Sequence, residues 1–403
     1  MNSAEGSYVT AGDDLETCHE CGLVVHIPSL TENQKAICPR CSFVLSVCHV
    51  NAIDRILAFA ATALTFLTGS LLFNFLTFKA NGVERKIDIL SSVTILLENG
   101  YPILAIVLVV TIMAIPAALL FGIIYLLIFL RKGLYPKRGH QVLELLFQLI
   151  PWSMVEIFLI GVLVSLIKVV SLADIELGIS FYAYVLFSMS MIATLLHIDK
   201  RHLFQALDAA ETHEPTLNSA SNRKSKKTKV TIDAHISIQQ TWALIITSVV
   251  LYIPANILPI MNTRFLGQDD PSTIIGGVIL LWNHGSYPIA MVIFVASVLV
   301  PVGKIFVLSW LNYSVQSGHE HFRNERITLY RMAEFVGRWS MVDVFVVIIL
   351  VSLVQMGNTM SILPGSATLA FSGVVVVTML AAMSFDSRLI FNNKSDYGPQ
   401  ARH

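Results

Sequence analysis

The chain carries a series of apolar runs, most of them close to 20 residues long, and the first begins only near Ile56. A run of that length crosses the roughly 30 Å hydrocarbon core of a bilayer as a helix. The expected fold class is therefore an all-α polytopic membrane protein with about eight transmembrane helices. Composition supports this: 55% of residues are hydrophobic and 13% charged, where a soluble domain carries about 25% charged residues. Met1–Thr17 is polar and acidic and has no signal-peptide character, so the N-terminal segment is expected in the cytosol.

The apolar runs fall into two copies. "WSMVEIF" at Trp152–Phe158 recurs as "WSMVDVF" at Trp339–Phe345, 187 positions on. "GYPILAIVLVV" from Gly100 pairs with "SYPIAMVIFVA" from Ser286, Pro116 with Pro301, and "HIDKRHLF" from His197 with "SFDSRLIF" from Ser384. The offset drifts only between 185 and 187, and so long a period makes each copy a domain half rather than a solenoid unit. Four helices are expected per half, near 54–78, 101–130, 148–170 and 178–199, then 240–261, 285–313, 336–356 and 366–387. An even number per half inserts both copies the same way up, a parallel duplication about an axis along the membrane normal. The expected division is a tail and ribbon over 1–50, repeats over 51–204 and 240–391, a polar basic linker over 205–239 and a tail over 392–403.

Lysine and arginine concentrate in "RKGLYPKRGH" at 131–140, in the linker around "RKSKKTK" and over Gln316–Arg331, whereas the alternate loops are balanced or uncharged. That bias places N-terminus, linker and C-terminus in the cytoplasm. The linker's basic run suits an anionic leaflet. Nucleic-acid binding is the other use of such a run and is not expected beside eight membrane helices.

Four of the five cysteines form two C-x2-C knuckles, Cys18/Cys21 and Cys38/Cys41, separated by sixteen residues. This is zinc-ribbon spacing, in which four thiolates close one structural tetrahedral site. Two disulfides are disfavoured in a reducing compartment, and a doubled redox dithiol at ribbon spacing is less expected still. One structural zinc per chain follows, with Cys48 left over as a free thiol.

Polar residues inside the apolar runs are the other candidates. Glu156 and Asp343 follow the tryptophans by four residues, within the membrane but shallow, each able to pair with a basic neighbour. Lys304, on the sixth span, lies in the same half of the membrane as Asp343, so an ion pair between them is possible. Its counterpart in the first copy is read as Ala117 or Ala118, while Lys168 stands where the second copy has Gln355 and is free to snorkel outward. Thr378 lies midway along the last span. Pro116 and Pro301 fall mid-span, where proline kinks a helix and frees a carbonyl. Paired breaks in corresponding spans point to a binding site in a repeated transporter.

The CHECG…CPRC ribbon, the Tyr-Pro and "LVPVGK" helix, the repeated WSM-acidic motif and the closing "DSRL" together resemble the paraquat-inducible protein A family over nearly the whole chain. The resemblance implies an integral protein of the Gram-negative inner membrane. It also implies a partner with mammalian-cell-entry (MCE) domains, forming tunnels or rings across the periplasm, and a part in lipid traffic. Two departures stand out: the linker lacks the second four-cysteine ribbon usual in the family, and "LTGSLLFNFLTF" lacks the Pro-Ala-Asn pattern kept in "LYIPANILPIM". A role that needs two ribbons is therefore not carried over.

The resulting expectation is a lipid-handling subunit that loads or unloads phospholipid at a groove between the halves. Lys304, Asp343, Pro301, Pro116, Glu156, Lys168 and Thr378 are its candidate residues. An ion- or proton-coupled small-molecule transporter is the first rival, and a non-transporting anchor for the MCE protein another. No nucleophile–base pairing or open-metal motif supports an enzyme.

Overall fold

The computed structural model describes residues 15–27, 34–47, 52–80, 83–169, 174–213, 234–265, 268–283, 285, 287–317, 323–353 and 360–391. Cys48, most of the basic linker and both terminal tails lie outside these residues.

The N-terminal segment is two antiparallel hairpins, β1 (Leu15–Thr17) with β2 (Val24–His26), and β3 (Lys35–Ile37) with β4 (Val44–Val47). Each hairpin holds one C-x2-C turn. Gly22 and Ser42 follow the second cysteine of each turn at φ 70° and 57°, and the first cysteine's N–H donates to the carbonyl of Leu23 or Phe43 at 2.8 Å. Both knuckles thus fold the same way, although only one has the glycine that favours a left-handed φ.

The first membrane half starts with α1 (Ala52–Leu72), strands β5 (Leu76–Ala80) and β6 (Val83–Ile87), and a short helix α2 (Ile89–Glu98). A long span follows as α3 (Pro102–Val109), a π-helical turn at Val110–Ala114, and α4 (Ile115–Arg131). Then come α5 (Gly139–Leu149), a 3-10 turn at Ile150–Trp152, α6 (Val155–Val169), β7 (Asp174–Leu177), α7 (Ile179–His197) and α8 (Lys200–His213).

The second half repeats this order. It comprises α9 (Ala234–Ile257), β8 (Met261–Phe265), β9 (Gln268–Ser272), α10 (Ile274–Asn283) and α11 (Tyr287–Phe294). A second π turn at Val295–Leu299 leads to α12 (Val300–Gln316), α13 (Arg323–Trp339), α14 (Val342–Leu353), β10 (Met360–Pro364), α15 (Ser366–Ser384) and a 3-10 turn at Ser387–Ile390.

Among the described residues, eight helical segments are long and apolar enough to cross a membrane. The all-α expectation is corrected, because each half also carries a three-stranded antiparallel sheet, β6-β5-β7 and β9-β8-β10. The strands are five residues or fewer; β5 and β8 start at the ends of the helices expected over 54–78 and 240–261 and the others lie between the apolar runs, so hydropathy alone does not reveal them. They close the end of each half reached by α1 or α9, about 30 Å from the ribbon at 1.5 Å per residue.

Gly178 and Gly365 join sheet to helix at the same place in each half. Their N–H groups donate to Phe75 and Ile260 carbonyls, and a Cβ on either would lie 2.0 Å from the carbonyl oxygen of Asn74 or Pro259. Only glycine lets these backbones approach so closely.

Three further expectations change. The WSM motifs open α6 and α14 but do not begin the longer apolar segments: α5 with its 3-10 turn, and α13, precede them, so each motif marks a break inside a segment of 29 or 31 residues, Gly139–Ile167 and Arg323–Leu353. The linker is shorter than 205–239, since α8 takes its first residues and α9 its last. The prolines do not break their helices. Each follows a π turn, in which Ile115 N–H reaches back to Val110 O and Val300 N–H to Val295 O, and the wider turn accommodates a residue that lacks its own N–H.

The two halves meet along α6 and α14. Phe158 and Phe345, one from each WSM motif, stack edge to face with centroids 5.6 Å apart, and a Cβ on Gly161 would meet Phe345 Cβ at 2.9 Å. Ser165 Oγ donates to its own helix at Gly161 O, 2.8 Å away, and lies 3.4 Å from Val346 O of α14. All twelve residues of α14 are buried. The repeated heptapeptide therefore supplies the helices by which the halves hold each other.

Candidate metal centre and membrane polar cluster

The knuckles bring Cys18, Cys21, Cys38 and Cys41 together, all buried, with their sulfurs within 4.8 Å of one another. Cys18 Sγ lies 3.6 Å from Cys41 Sγ and Cys21 Sγ lies 3.5 Å from Cys38 Sγ. Sulfurs placed tetrahedrally around an ion at about 2.3 Å are about 3.8 Å apart, whereas a disulfide requires about 2.05 Å. The four are free thiols, and their arrangement fits a metal ion rather than either disulfide. Against burial, the backbone N–H groups of Cys41 and Arg40 face the Cys38 sulfur and lower that thiol, whereas burial raises those of Cys21 and Cys41.

The ribbon does not hang free. Its core is continuous with Leu311, Ile327, Phe385, Ile390 and Phe391 of the second half. Arg331 of α13 reaches the carboxylate of Glu20 and the carbonyl of Cys41, the latter at 2.9 Å. Arg388 Nε donates to His19 O at 3.1 Å, and the Arg40 guanidinium sits 5.4 Å over the Phe391 ring. On the other side Asp199, between α7 and α8, accepts from Ser46 Oγ at 2.7 Å and from Val47 N–H at 2.8 Å. One small module thus touches both membrane halves. Nothing in the cysteine spacing indicates that contact.

The membrane candidates separate into two groups. In the second half, Asp343 at the start of α14 is 8% exposed and accepts a hydrogen bond of 2.5 Å from Ser297. Ser297 lies inside the π turn, and in the first half its place is taken by Ile112. Lys304, 4% exposed on α12, does not pair with Asp343 as expected. Its ammonium packs against Gly337 of α13, where a Cβ would come within 2.5 Å of Nζ, and the acid acting on it is Glu334, one turn earlier on α13. Among the described residues it makes no ion pair or side-chain hydrogen bond. The π turns fix the offset here at 185, so the counterpart of Lys304 is the buried Leu119 rather than Ala117 or Ala118. Pro301 is buried one turn before Lys304.

Elsewhere the candidates are dispersed. Thr378 is buried on α15, and its hydroxyl is spent on its own helix at Val375 O, 3.0 Å away. Glu156 is half-buried in the first turn of α6, where Arg338 is the basic group acting on it. Pro116 is buried in the first half's span. Lys168 lies in the last turn of α6, and its side chain falls outside the described residues. Sequence reasoning missed Ser297, Glu334 and Gly337. A serine or glycine in an apolar run is common, and Glu334 stands on an amphipathic helix that reads as a solvated loop.

A void of about 20 Å³ lies between the halves, lined by Phe158 and Leu108 on one side and Ile348 and Ile349 on the other. That is room for about one water molecule. The halves are closed on each other here.

The family model described as "Paraquat-inducible protein A" matches residues 53–208 and again 238–394. Among curated relatives, "Intermembrane transport protein PqiA" of Escherichia coli (strain K12) is 38% identical, covering 96% of both chains. "Probable intermembrane transport protein" of Haemophilus influenzae is 27% identical over 93% of this chain and 95% of its own. "Lipophilic envelope-spanning tunnel protein A" of Escherichia coli (strain K12) is 26% identical over 94% and 91%. No solved structure matches.

Proposed function

Because the chain belongs to the paraquat-inducible protein A family, we propose that it is the inner-membrane subunit of a system carrying phospholipid between the two membranes of the envelope. It would work with a periplasmic MCE-domain protein. The observation that carries this reading is identity of 38%, over 96% of both chains, to a protein named for intermembrane transport. The double match to the family model supports a duplication, and the lysine and arginine bias of the loops supports halves inserted the same way with both termini cytoplasmic. The ribbon then lies at the cytosolic face, and the two sheets face the periplasm, where a partner would dock.

In this reading one zinc closes the four-cysteine site. It holds two hairpins that have almost no apolar core of their own, so metal affinity is folding energy for the ribbon. Lipid enters between the halves. Because α6 and α14 are packed tightly at Gly161 and Phe345, loading requires the halves to part, and the Asp343–Ser297 contact at a π turn and the seat of Lys304 lie on helices that would have to move. A lone ammonium in hydrocarbon costs about 2.5–3.5 kcal/mol on insertion scales, so Lys304 is kept for an anionic headgroup or for charge movement. The buried Asp343 and Lys304, with the exposed Glu334 beside them, also favour a second reading, in which ion or proton movement drives the cycle or a small molecule is the cargo.

The test is purification from membranes with gentle detergent, followed by analysis of bound phospholipid, co-purifying protein and zinc. Phospholipid that is lost on Lys304→Met, with an MCE-domain protein retained, supports the lipid reading. Protein free of phospholipid that still moves ions across proteoliposomes would replace it with the second.

A further inference from the structure

The two halves hold each other in two chemically different ways. Within the membrane α6 meets α14 through Phe158, Gly161 and Phe345, and Ser165 Oγ comes only to 3.4 Å from Val346 O. Lipid chains are as apolar as these side chains and compete with them on equal terms, so packing alone holds this surface together. The other tie is the ribbon, and it is charged and hydrogen-bonded. Arg331 of α13 donates from Nε to a Glu20 carboxylate oxygen at 2.8 Å, from a second nitrogen to the same oxygen, and to Cys41 O at 2.9 Å. Charge-assisted bonds of this kind are about twice as strong as neutral ones.

The ribbon grips the same turn of both halves. α7 and α15 end in matching turns, in which Asp199 Oδ1 accepts from Arg201 N–H and Asp386 Oδ1 from Arg388 N–H, each at 2.9 Å. On the first-half turn, the other oxygen of Asp199 accepts from Ser46 Oγ at 2.7 Å and from Val47 N–H at 2.8 Å. On the second-half turn, Arg388 Nε donates to His19 O at 3.1 Å, and Phe391 lies under Arg40. α7 and α15, 19 residues each, carry these turns about 28 Å from the glycines that join them to the sheets. With the ribbon fixed to both turns, a rotation of about 20° around it carries the sheet ends apart by about 10 Å, the diameter of a helix.

We propose that the ribbon is a clasp: it keeps these ends of the two halves together, so that the halves part only at the sheet end. Asp199 and Arg331 are positioning residues and touch no cargo. The metal site belongs to the device, because His19, Glu20, Arg40 and Cys41, which make the polar contacts with the second half, all lie within the two knuckles. The clasp lasts as long as the four cysteines hold those turns in shape. The proposal rests on the reading that loading requires the halves to part, and adds to it that the opening faces the sheets.

The test measures distances between nitroxides carried on keto-bearing unnatural residues, which spare the cysteines, in full-length zinc-loaded protein in nanodiscs. One pair is Gln205 of α8 with Thr328 of α13, beside the ribbon, and the other is Glu84 of β6 with Asp270 of β9, at the sheet end; all four are exposed. The Gln205–Thr328 pair should give one narrow distribution, and the Glu84–Asp270 pair a broad one reaching about 10 Å further than its shortest distance. Removing zinc with a chelator should broaden the first pair to match the second. Arg331→Ala and Glu20→Ala remove opposite ends of one contact and should broaden it equally, and Asp199→Ala should do so from the other half. Zinc retained in each variant shows that the ribbon is still folded. A Gln205–Thr328 distribution that stays narrow through zinc removal and all three variants overturns the proposal, as does a Glu84–Asp270 pair no broader than it. These distances are read without cargo, so their failure leaves the transport reading standing. Protein free of phospholipid after gentle purification removes that reading and leaves the clasp.

Discussion

Removing one partner of a buried ion pair costs about 3–5 kcal/mol because the other charge is stranded. Lys304 has Gly337 and a nearby Glu334 but no ion pair among the described residues, so its removal strands nothing of that kind. Lys304→Met should leave membrane abundance close to normal while abolishing envelope function, and adding Asp343→Asn should restore nothing. Quantitative immunoblots alongside a detergent-sensitivity assay check this, and abundance rescued by the double variant would return Asp343 as the partner. Gly337→Ala pushes a methyl to within 2.5 Å of the ammonium and should impair function in the same assay while leaving abundance close to normal. Lys304 itself stands out in the sequence as a charge in an apolar run. Its seat does not, because α12 and α13 meet only in the fold.

At the scale of elements, two features recur at matching places: the π turn ahead of each mid-span proline and the glycine between sheet and last helix. Gly178→Ala and Gly365→Ala each place a Cβ 2.0 Å from a backbone oxygen, an atom that cannot swing aside as a side chain would. Losses above about 3 kcal/mol are expected from such a clash, seen as a fall in the thermal unfolding midpoint of the purified protein. Gly277→Ala on α10 is the control, since nothing lies within 4 Å of its added Cβ, and it should be neutral or stabilising by about 0.5–1 kcal/mol. The existence of the eight spans was legible because twenty-residue apolar runs admit few alternatives. The sheets were not, since their strands are short and the third strand of each pairs across a sequence separation near 100 residues, as Lys79 with Asp174.

For the whole molecule, orientation, metal and docking make three further predictions. Reporter fusions at Gly133, Asn222 and Gly318 should report cytoplasm, and those at Gly82, Gly267 and Gly357 periplasm. A periplasmic signal at Asn222 would require an odd number of spans in the first half. Cys38→Ser should lose about one zinc per chain and unfold residues 15–47, measured by metal analysis and hydrogen exchange, with the membrane helices unchanged because they satisfy their own backbone groups. Arg331→Ala should instead keep the zinc and raise exchange along the ribbon face that meets α13, since the hairpins persist while their clasp to Glu20 and Cys41 O is gone.

What the sequence by itself determined is whatever rests on local pattern and chemical type. Apolar run length set the helices, C-x2-C spacing brought together a four-cysteine set, and the offset of the WSM motifs revealed two copies. What only the tertiary structure decided is which of those parts touch. The two WSM helices grip each other at Phe158 and Phe345, the ribbon bridges Asp199 and Arg331, and Lys304 turns to Gly337 instead of Asp343. Such contacts join residues more than thirty positions apart, and in places more than two hundred. They depend on helix rotation and close packing, to which hydropathy and spacing are blind, because a helix of given composition buries any of its faces until a neighbour with a matching surface selects one.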